Sequence, residues 1–199
     1  MQHSETNIPT LNIATKITVF RIFLIPFFVV TFLYYIWSLK ETGNWFRYVA
    51  VIIFAIAVIS DVADGYIARK KKLITFFGSF LDPVADKLFL WTAIILIFVF
   101  KEYFYQKYSL ELWYPILVIG RDIFVGIGNL ILYLNFGRFR YSPSIMGKVA
   151  VILQMGVILW ILLKLPHPYF IYYTTAFPTV VSGIIYFLWW FKQIRSLQK

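Results

Sequence analysis

The chain has no cysteine, so disulfides and thiolate metal sites are excluded and the redox state of its compartment leaves no mark on it. Its two histidines, His3 and His167, have no partner at ligand spacing, and no role is assigned to them. Charge is sparse, at 14% of residues, with nine carboxylates in 199 positions. No low-complexity linker or shift in composition divides the chain, so a single domain over residues 1–199 is expected. The first apolar run is not followed by a small-residue cleavage site, so it is expected to stay as a span rather than be removed as a leader. What the chain has in excess is apolar surface: 61% of residues are hydrophobic and the mean hydropathy is +0.76, values of a polytopic membrane protein rather than a soluble domain.

A helix needs roughly 20 apolar residues to cross a bilayer. Six runs qualify, at about 17–38, 46–68, 76–100, 112–135, 145–163 and 169–191. The expected fold is therefore an all-α integral membrane protein, a six-transmembrane-helix bundle. A short N-terminal interfacial helix is expected before it, with Ile8, Leu11 and Ile13 on its apolar side. Basic residues set the orientation. Lys16, Arg21, Arg69 to Lys72, Arg138, Arg140, Lys148, Lys192, Arg195 and Lys199 fall on one side, whereas the other has Lys40, Arg47, Lys101, Lys107 and Lys164, partly offset by glutamates. The excess predicts both termini in the cytoplasm. The net charge of +10 is then explained by the anionic inner membrane surface, and no nucleic-acid partner is needed. Trp37, Trp45, Trp113, Trp160, Trp189 and Trp190 fall near span ends, as an aromatic belt would.

Against this apolar background the stretch Asp61 to Asp86 stands out. It places Asp61, Asp64, Asp82 and Asp86 in or beside spans, although an aspartate at the centre of a spanning helix costs on the order of 2.5–3.5 kcal/mol. Spacings of three and four residues put each pair on one helix face. Counting Lys87, Arg121 and Asp122, the embedded set is net negative and calls for cations. Clustered carboxylates without His or Cys form a hard-oxygen site, suited to Mg²⁺, Mn²⁺ or Ca²⁺. Four of them can hold two such ions, the arrangement that stabilises the attacking and leaving oxygens in phosphoryl displacement. Ala63, Gly65, Ala68, Gly78, Ser79 and Ala85 surround the acids, small enough for close helix packing or for a base or phosphate to lie against the backbone. Buried carboxylates also mark ion pathways, so a cation or proton transporter is the rival reading. It requires polar residues through the membrane depth and an internal inverted repeat, neither of which the sequence displays.

The pattern D-x₂-D-G-x₂-A-R-x₈-G-x₃-D-x₃-D, spelled by Asp61, Asp64, Gly65, Ala68, Arg69, Gly78, Asp82 and Asp86, resembles the signature of the CDP-alcohol phosphotransferases at every fixed position. The resemblance implies transfer of a phosphatidyl group from CDP-diacylglycerol to an alcohol, with release of CMP. It implies two divalent cations, Mg²⁺ or Mn²⁺, held by Asp61, Asp64, Asp82 and Asp86, with Asp86 also the catalytic base. Asp61, Gly65, Ala68, Arg69, Gly78, Ser79 and Asp82 would bind the CDP portion, Arg69 on phosphate oxygens. A homodimer, with the active site at the cytoplasmic side, is implied as well.

Resemblance outside the signature bears on the acceptor. Thr18 to Pro26 and Leu81 to Leu88 resemble phosphatidylglycerophosphate synthases and CDP-lipid-using cardiolipin synthases alike. The Pro-Asn common before the first span is replaced by Ala14-Thr15. Phosphatidylglycerophosphate synthases tend to have Arg-Glu in the fourth span and a second Arg eight residues on, whereas this chain has Arg121-Asp122 and then Asn129. Arg121-Asp122 and Pro143 to Gln154 also resemble the cardiolipin synthase branch. Glycerol 3-phosphate is the first expectation for the acceptor and phosphatidylglycerol the second, with an inositol acceptor behind them. Arg121 and Lys148 are the candidates for holding an acceptor phosphate. Arg121 could instead pair internally with an aspartate, and Lys87 could compensate Asp86 or snorkel to the interface.

Overall fold

The computed structural model describes the backbone of residues 13–38, 45–71, 76–104, 110–136 and 144–197, and the side chains within these segments except 13–18, 61–86, 133, 136, 196 and 197. Six long helices make up almost all of it: α1 (Ile13–Ser38), α2 (Trp45–Lys71), α3 (Phe76–Val99), α4 (Trp113–Phe136), α5 (Ile145–Leu162) and α6 (Pro168–Leu197). One turn of 3-10 helix, Lys101–Tyr103, follows α3. The helices coincide with the six apolar runs to within a few residues, except that α6 continues past its run to Leu197, making a rod about 45 Å long. Its last turns carry Lys192 and Arg195, beyond the depth that apolar side chains can cover. The expected N-terminal interfacial helix lies outside the described residues.

α1, α4, α5 and α6 are long and apolar enough to cross a membrane, through Val19–Ser38, Trp113–Leu132, Ile145–Leu162 and Pro168–Arg195. In α2 and α3 the described apolar lengths are Trp45–Ser60 and Lys87–Val99, since residues 61–86 lie outside the described side chains. The protein is thus an all-helical chain with four candidate spans among the described residues.

The helices pack as two triplets. α1 lies against both α2 and α3, α6 lies against both α4 and α5, and contacts of α2 with α5 and of α3 with α4 join the halves. At the centre of the first triplet Phe28, Phe54 and Phe89 meet with ring centroids 5.4 to 5.9 Å apart, one ring from each of three helices. Their tilted rings fill the gap between helices that share no other strong adhesive, since lipid tails are as apolar as the side chains they would replace. Ala50, Ala57 and Ala93 sit fully inside the same core and let the backbones close in. The exposed apolar residues, among them Phe23, Ile52, Ile95, Ile127 and Phe177, clothe the outside of the bundle as a lipid-facing surface requires.

A second, smaller core joins α4 to α6 through Val125, Leu132, Tyr186 and Trp190. The Trp190 indole lies on Gly128, where a Cβ would stand 2.1 Å from the ring, and donates to Asn129 Oδ1 at 3.3 Å. Trp190 is therefore a packing residue between two helices, which corrects its expected place in an aromatic belt. Trp37 and Trp45, 80% and 73% exposed, do sit as belt residues would.

Candidate active site

The backbone of α2 carries Asp61, Asp64, Gly65, Ala68 and Arg69 toward its C-terminal end, and that of α3 carries Gly78, Ser79, Asp82 and Asp86 through its N-terminal half. The side chains of these residues lie outside the described set. The described residues around them begin at Ser60 on α2 and at Lys87 on α3.

From Lys87 a polar network runs across three helices. Asp122 on α4, only 2% exposed, accepts from three groups. Lys87 Nζ stands 2.6 Å from its Oδ1, Arg121 Nη1 donates to the same oxygen at 2.7 Å, and Trp91 Nε1 donates to Oδ2 at 3.2 Å. A carboxylate in hydrocarbon is tolerable only when paired and hydrogen-bonded, and this one has two cations and an indole. Lys87 and Trp91 are four residues apart, so α3 presents both on one face to a single carboxylate. The described partner of Lys87 is Asp122 on the neighbouring helix, whereas the expected compensation of Asp86 lies outside the described side chains.

Arg121 is held on its remaining edges. Nε donates to Ser182 Oγ at 3.0 Å, and the guanidinium lies 5.5 Å from the Tyr186 ring centroid, both residues being on α6. Nη2 points to the start of α5, 3.0 Å from where a Cβ on Gly147 would be. Any side chain at 147 would have to push the guanidinium aside, so glycine here keeps the arginine in place. α5 itself begins at Ser144, whose Oγ accepts from the Gly147 N–H at 2.9 Å as an N-cap and whose own N–H donates to Tyr186 Oη at 3.2 Å. Arg121 thus has one free-standing edge facing a helix N-terminus, a position suited to an anion. Lys148, the other acceptor candidate, is exposed on the first turn of α5 beside buried Gly147. The predicted internal pairing of Arg121 with Asp122 and its candidacy for an anion coexist, because different nitrogens serve them.

Arg21 was counted among the flanking basic residues that orient the chain. The structure buries it to 3% exposure inside the bundle, against a small cavity lined by Phe54, Ala57, Phe89 and Leu90. It lies seven residues before Phe28 on α1 and so continues the inward stripe of Phe28, Phe32 and Tyr35. That spacing was the available signal. No comparable local signal marks Trp91, Ser182 or Tyr186, whose partners lie 31 to 61 residues away.

From Ser182 the network continues into a ladder of buried polar groups shared by α5 and α6. Gln154 Nε2 donates to Thr179 Oγ1 at 3.1 Å, Thr179 donates on to the Thr175 carbonyl, and Ser182 to the Thr179 carbonyl. Threonine and serine hydroxyls answer their own helix carbonyls here, which makes them admissible in hydrocarbon.

These features define a class: a multi-helix membrane protein with two aspartate positions on each of two helices and an arginine fixed by an ion pair and a serine on neighbouring helices. The comparisons with known proteins are narrower. The profile of the CDP-alcohol phosphatidyltransferase family matches residues 11–191, and the chain belongs to that family, whose members are transferases. It is 33% identical over 189 residues to a CDP-diacylglycerol–glycerol-3-phosphate 3-phosphatidyltransferase of Bacillus subtilis (strain 168), covering 88% of this chain and 93% of the relative. Proteins of the same description from Yersinia pestis (strain Pestoides F) and Escherichia coli (strain K12) are 35% and 34% identical. They cover 79% and 76% of this chain, and 80% and 76% of their own lengths.

Proposed function

We propose that this protein transfers the phosphatidyl group of CDP-diacylglycerol to glycerol 3-phosphate, releasing CMP, as a step of phospholipid biosynthesis. The observation that carries the acceptor is the fixed geometry of Arg121: one carboxylate, Asp122, ties it to Lys87, the residue after Asp86. A phosphate held on the open edge of Arg121 is thereby placed relative to the helix that bears the base. The names of the relatives, which cover most of this chain, agree with that acceptor.

The register of the helices supports the metal assignment. On α2 the buried residues are Ala50, Phe54 and Ala57, and the same stripe continued by four and seven residues reaches positions 61 and 64. On α3 the stripe of Phe89, Leu90 and Ala93 continued backward reaches 86 and 82. All four donors are carboxylate oxygens, which fits two hard divalent cations. When bound, Mg²⁺ or Mn²⁺ would supply charge neutralisation for the diphosphate. The chain's own residues do the rest. Arg69 holds phosphate oxygens with its fork, and Gly65, Ala68, Gly78 and Ser79 leave room for the CDP portion against the backbone. Asp86 accepts the proton of the acceptor hydroxyl as that oxygen bonds to the lipid-side phosphorus and the bond from that phosphorus to the CMP oxygen breaks. Arg121, with Lys148 at the entrance, orients the acceptor. A six-span bundle with cytoplasmic termini, the site at the cytoplasmic side and a homodimeric assembly complete the reading.

One observation favours a second acceptor, phosphatidylglycerol. Position 129 is an asparagine engaged by Trp190, so Arg121 is the single arginine of α4. Purified protein supplied with CDP-diacylglycerol, Mg²⁺ or Mn²⁺ and each acceptor in turn decides between them. Labelled product is expected with glycerol 3-phosphate; product with phosphatidylglycerol alone would replace the first reading by the second.

A further inference from the structure

Tyr186, on α6 and 4% exposed, fills a place in the smaller core that a phenylalanine ring would fill as well. What a phenylalanine lacks is the hydroxyl, and here the hydroxyl spans a seam between helices. Tyr186 Oη accepts from the Ser144 N–H at 3.2 Å, across 42 residues of chain, at the residue that caps the start of α5. The ring of the same side chain meets a third helix, since the Arg121 guanidinium of α4 stands 5.5 Å from its centroid. One tyrosine thus touches both the arginine and the helix start, with two different parts of itself.

Ser182, one turn before Tyr186 on the same face of α6, fixes how the arginine meets that ring. Its hydroxyl proton goes to the Thr179 carbonyl at 2.8 Å, so its oxygen is left to accept, and it accepts from Arg121 Nε at 3.0 Å. With Nε on Ser182 and Nη1 on Asp122, the guanidinium is held in its plane and Nη2 is turned toward α5. There a Cβ on Gly147 would stand 3.0 Å from Arg121 Nη2, 3.2 Å from Ser144 Oγ and 3.3 Å from Tyr186 Oη. Polar groups of α4, of the α5 cap and of α6 therefore converge on a single glycine. The first N–H groups of a helix have no intrahelical partner, and they stay beside the guanidinium edge only while α5 keeps this register. Among the described residues two cations share the Asp122 carboxylate, so the cluster retains one positive charge for an anion to balance.

We propose that Tyr186 is a positioning residue for the acceptor alcohol: its hydroxyl locks the first turn of α5 against the arginine that its ring supports, so that the two offer the acceptor's phosphate one preformed cradle. That role rests on the proposed function of Arg121 in holding the acceptor. Tyr186 acts through Arg121 and α5. Without its hydroxyl the cradle has to be assembled at the moment of binding, which weakens the hold on the acceptor and not on the donor.

Full-length protein in detergent with Mg²⁺ or Mn²⁺ is assayed at saturating CDP-diacylglycerol while the acceptor is varied, in separate arms for glycerol 3-phosphate and phosphatidylglycerol, and then with the donor varied. For the acceptor that the wild type turns over, Y186F is expected to raise KM at least fivefold and to change kcat less than threefold, with KM for CDP-diacylglycerol within twofold of the wild type. R121K, which keeps the charge and loses the fork, is the reference. In the R121K background Y186F is expected to add less than twofold, because no fork remains to be aligned. G147A crowds the same three groups and is expected to give the same acceptor-selective loss, which decides the matter if Y186F does not fold. An acceptor KM equal to the wild type's in Y186F, beside a raised one in R121K, would overturn the role of Tyr186 and leave that of Arg121 standing. An unchanged acceptor KM in R121K, or a wild type that turns over neither acceptor, would remove both. A Y186F defect that falls on donor and acceptor alike, or adds in full to that of R121K, would make the tyrosine a packing residue and overturn the proposal.

Discussion

Asp122 is the residue on which the described part of the site turns. It is a fully buried carboxylate with two cations upon it, so removing it leaves Lys87 and Arg121 facing each other without compensation. Breaking a buried pair from one side costs about 3–5 kcal/mol, well above the ~0.6 kcal/mol of an ordinary interhelical hydrogen bond in a membrane. Asp122→Ala is therefore expected to lower stability by about 3 kcal/mol or more, read as loss of folded protein in detergent denaturation. Asp122→Asn should keep more of the fold while raising KM for the acceptor more than it lowers kcat, because Arg121 loses its fixed position. A variant with unchanged kinetics would remove Asp122 from the positioning role. Asp86→Asn tests the proposed base: one oxygen becomes nitrogen, so folding should persist and turnover should vanish. Full activity in that variant would take the base role away from Asp86.

Among the elements, the α4–α6 contact is the one most open to a clean test. Gly128 admits Trp190 so closely that a Cβ would meet the indole at 2.1 Å, a distance no pair of non-bonded carbon atoms sustains. Gly128→Ala must push α6 away or rotate the indole off Asn129, at a cost of about 1–3 kcal/mol for an overpacked contact. Trp190→Leu alone should cost stability through lost ring burial. The double variant is expected to be more stable than the two single losses added together, and a thermal-denaturation cycle measures the coupling. Strict additivity would mean that the indole moves away freely. Capping follows simpler rules: Ser144 opens α5 with a side-chain bond from the Gly147 N–H.

For the molecule as a whole, the two helix triplets meet along α2–α5 and α3–α4, and the Lys87–Asp122 pair lies at the second of these seams. A bundle without a hydrophobic drive between its helices relies on such polar fastenings and on close packing. Removing divalent cations with a chelator is expected to abolish transfer and to lower the melting midpoint, since four carboxylates would then repel one another at the end of α2 and the start of α3. Restoration of both by Mg²⁺ or Mn²⁺ completes the test; turnover that survives exhaustive chelation would exclude the metal assignment.

The helices were legible because hydropathy is a local property. A run of some twenty apolar residues has few alternatives in a bilayer, and the helical runs coincide with α1 to α6. The acidic spacing was legible for the same reason, since residues three and four apart share a face whatever the helix later packs against. Partnership was not. Asp122 chooses Lys87 and Trp91, Arg121 reaches Ser182, and Trp190 leaves the membrane surface to lie on Gly128, all across 31 to 62 residues of chain. Arg21 and Arg47 read as ordinary flanking charges until packing buried them. The sequence by itself determined which segments are apolar helices and where the acids stand along them, because those depend on nearest neighbours in the chain. Only the tertiary structure decided which charges meet, because that depends on how six helices rotate and cross, and burial raises the cost of each wrong pairing.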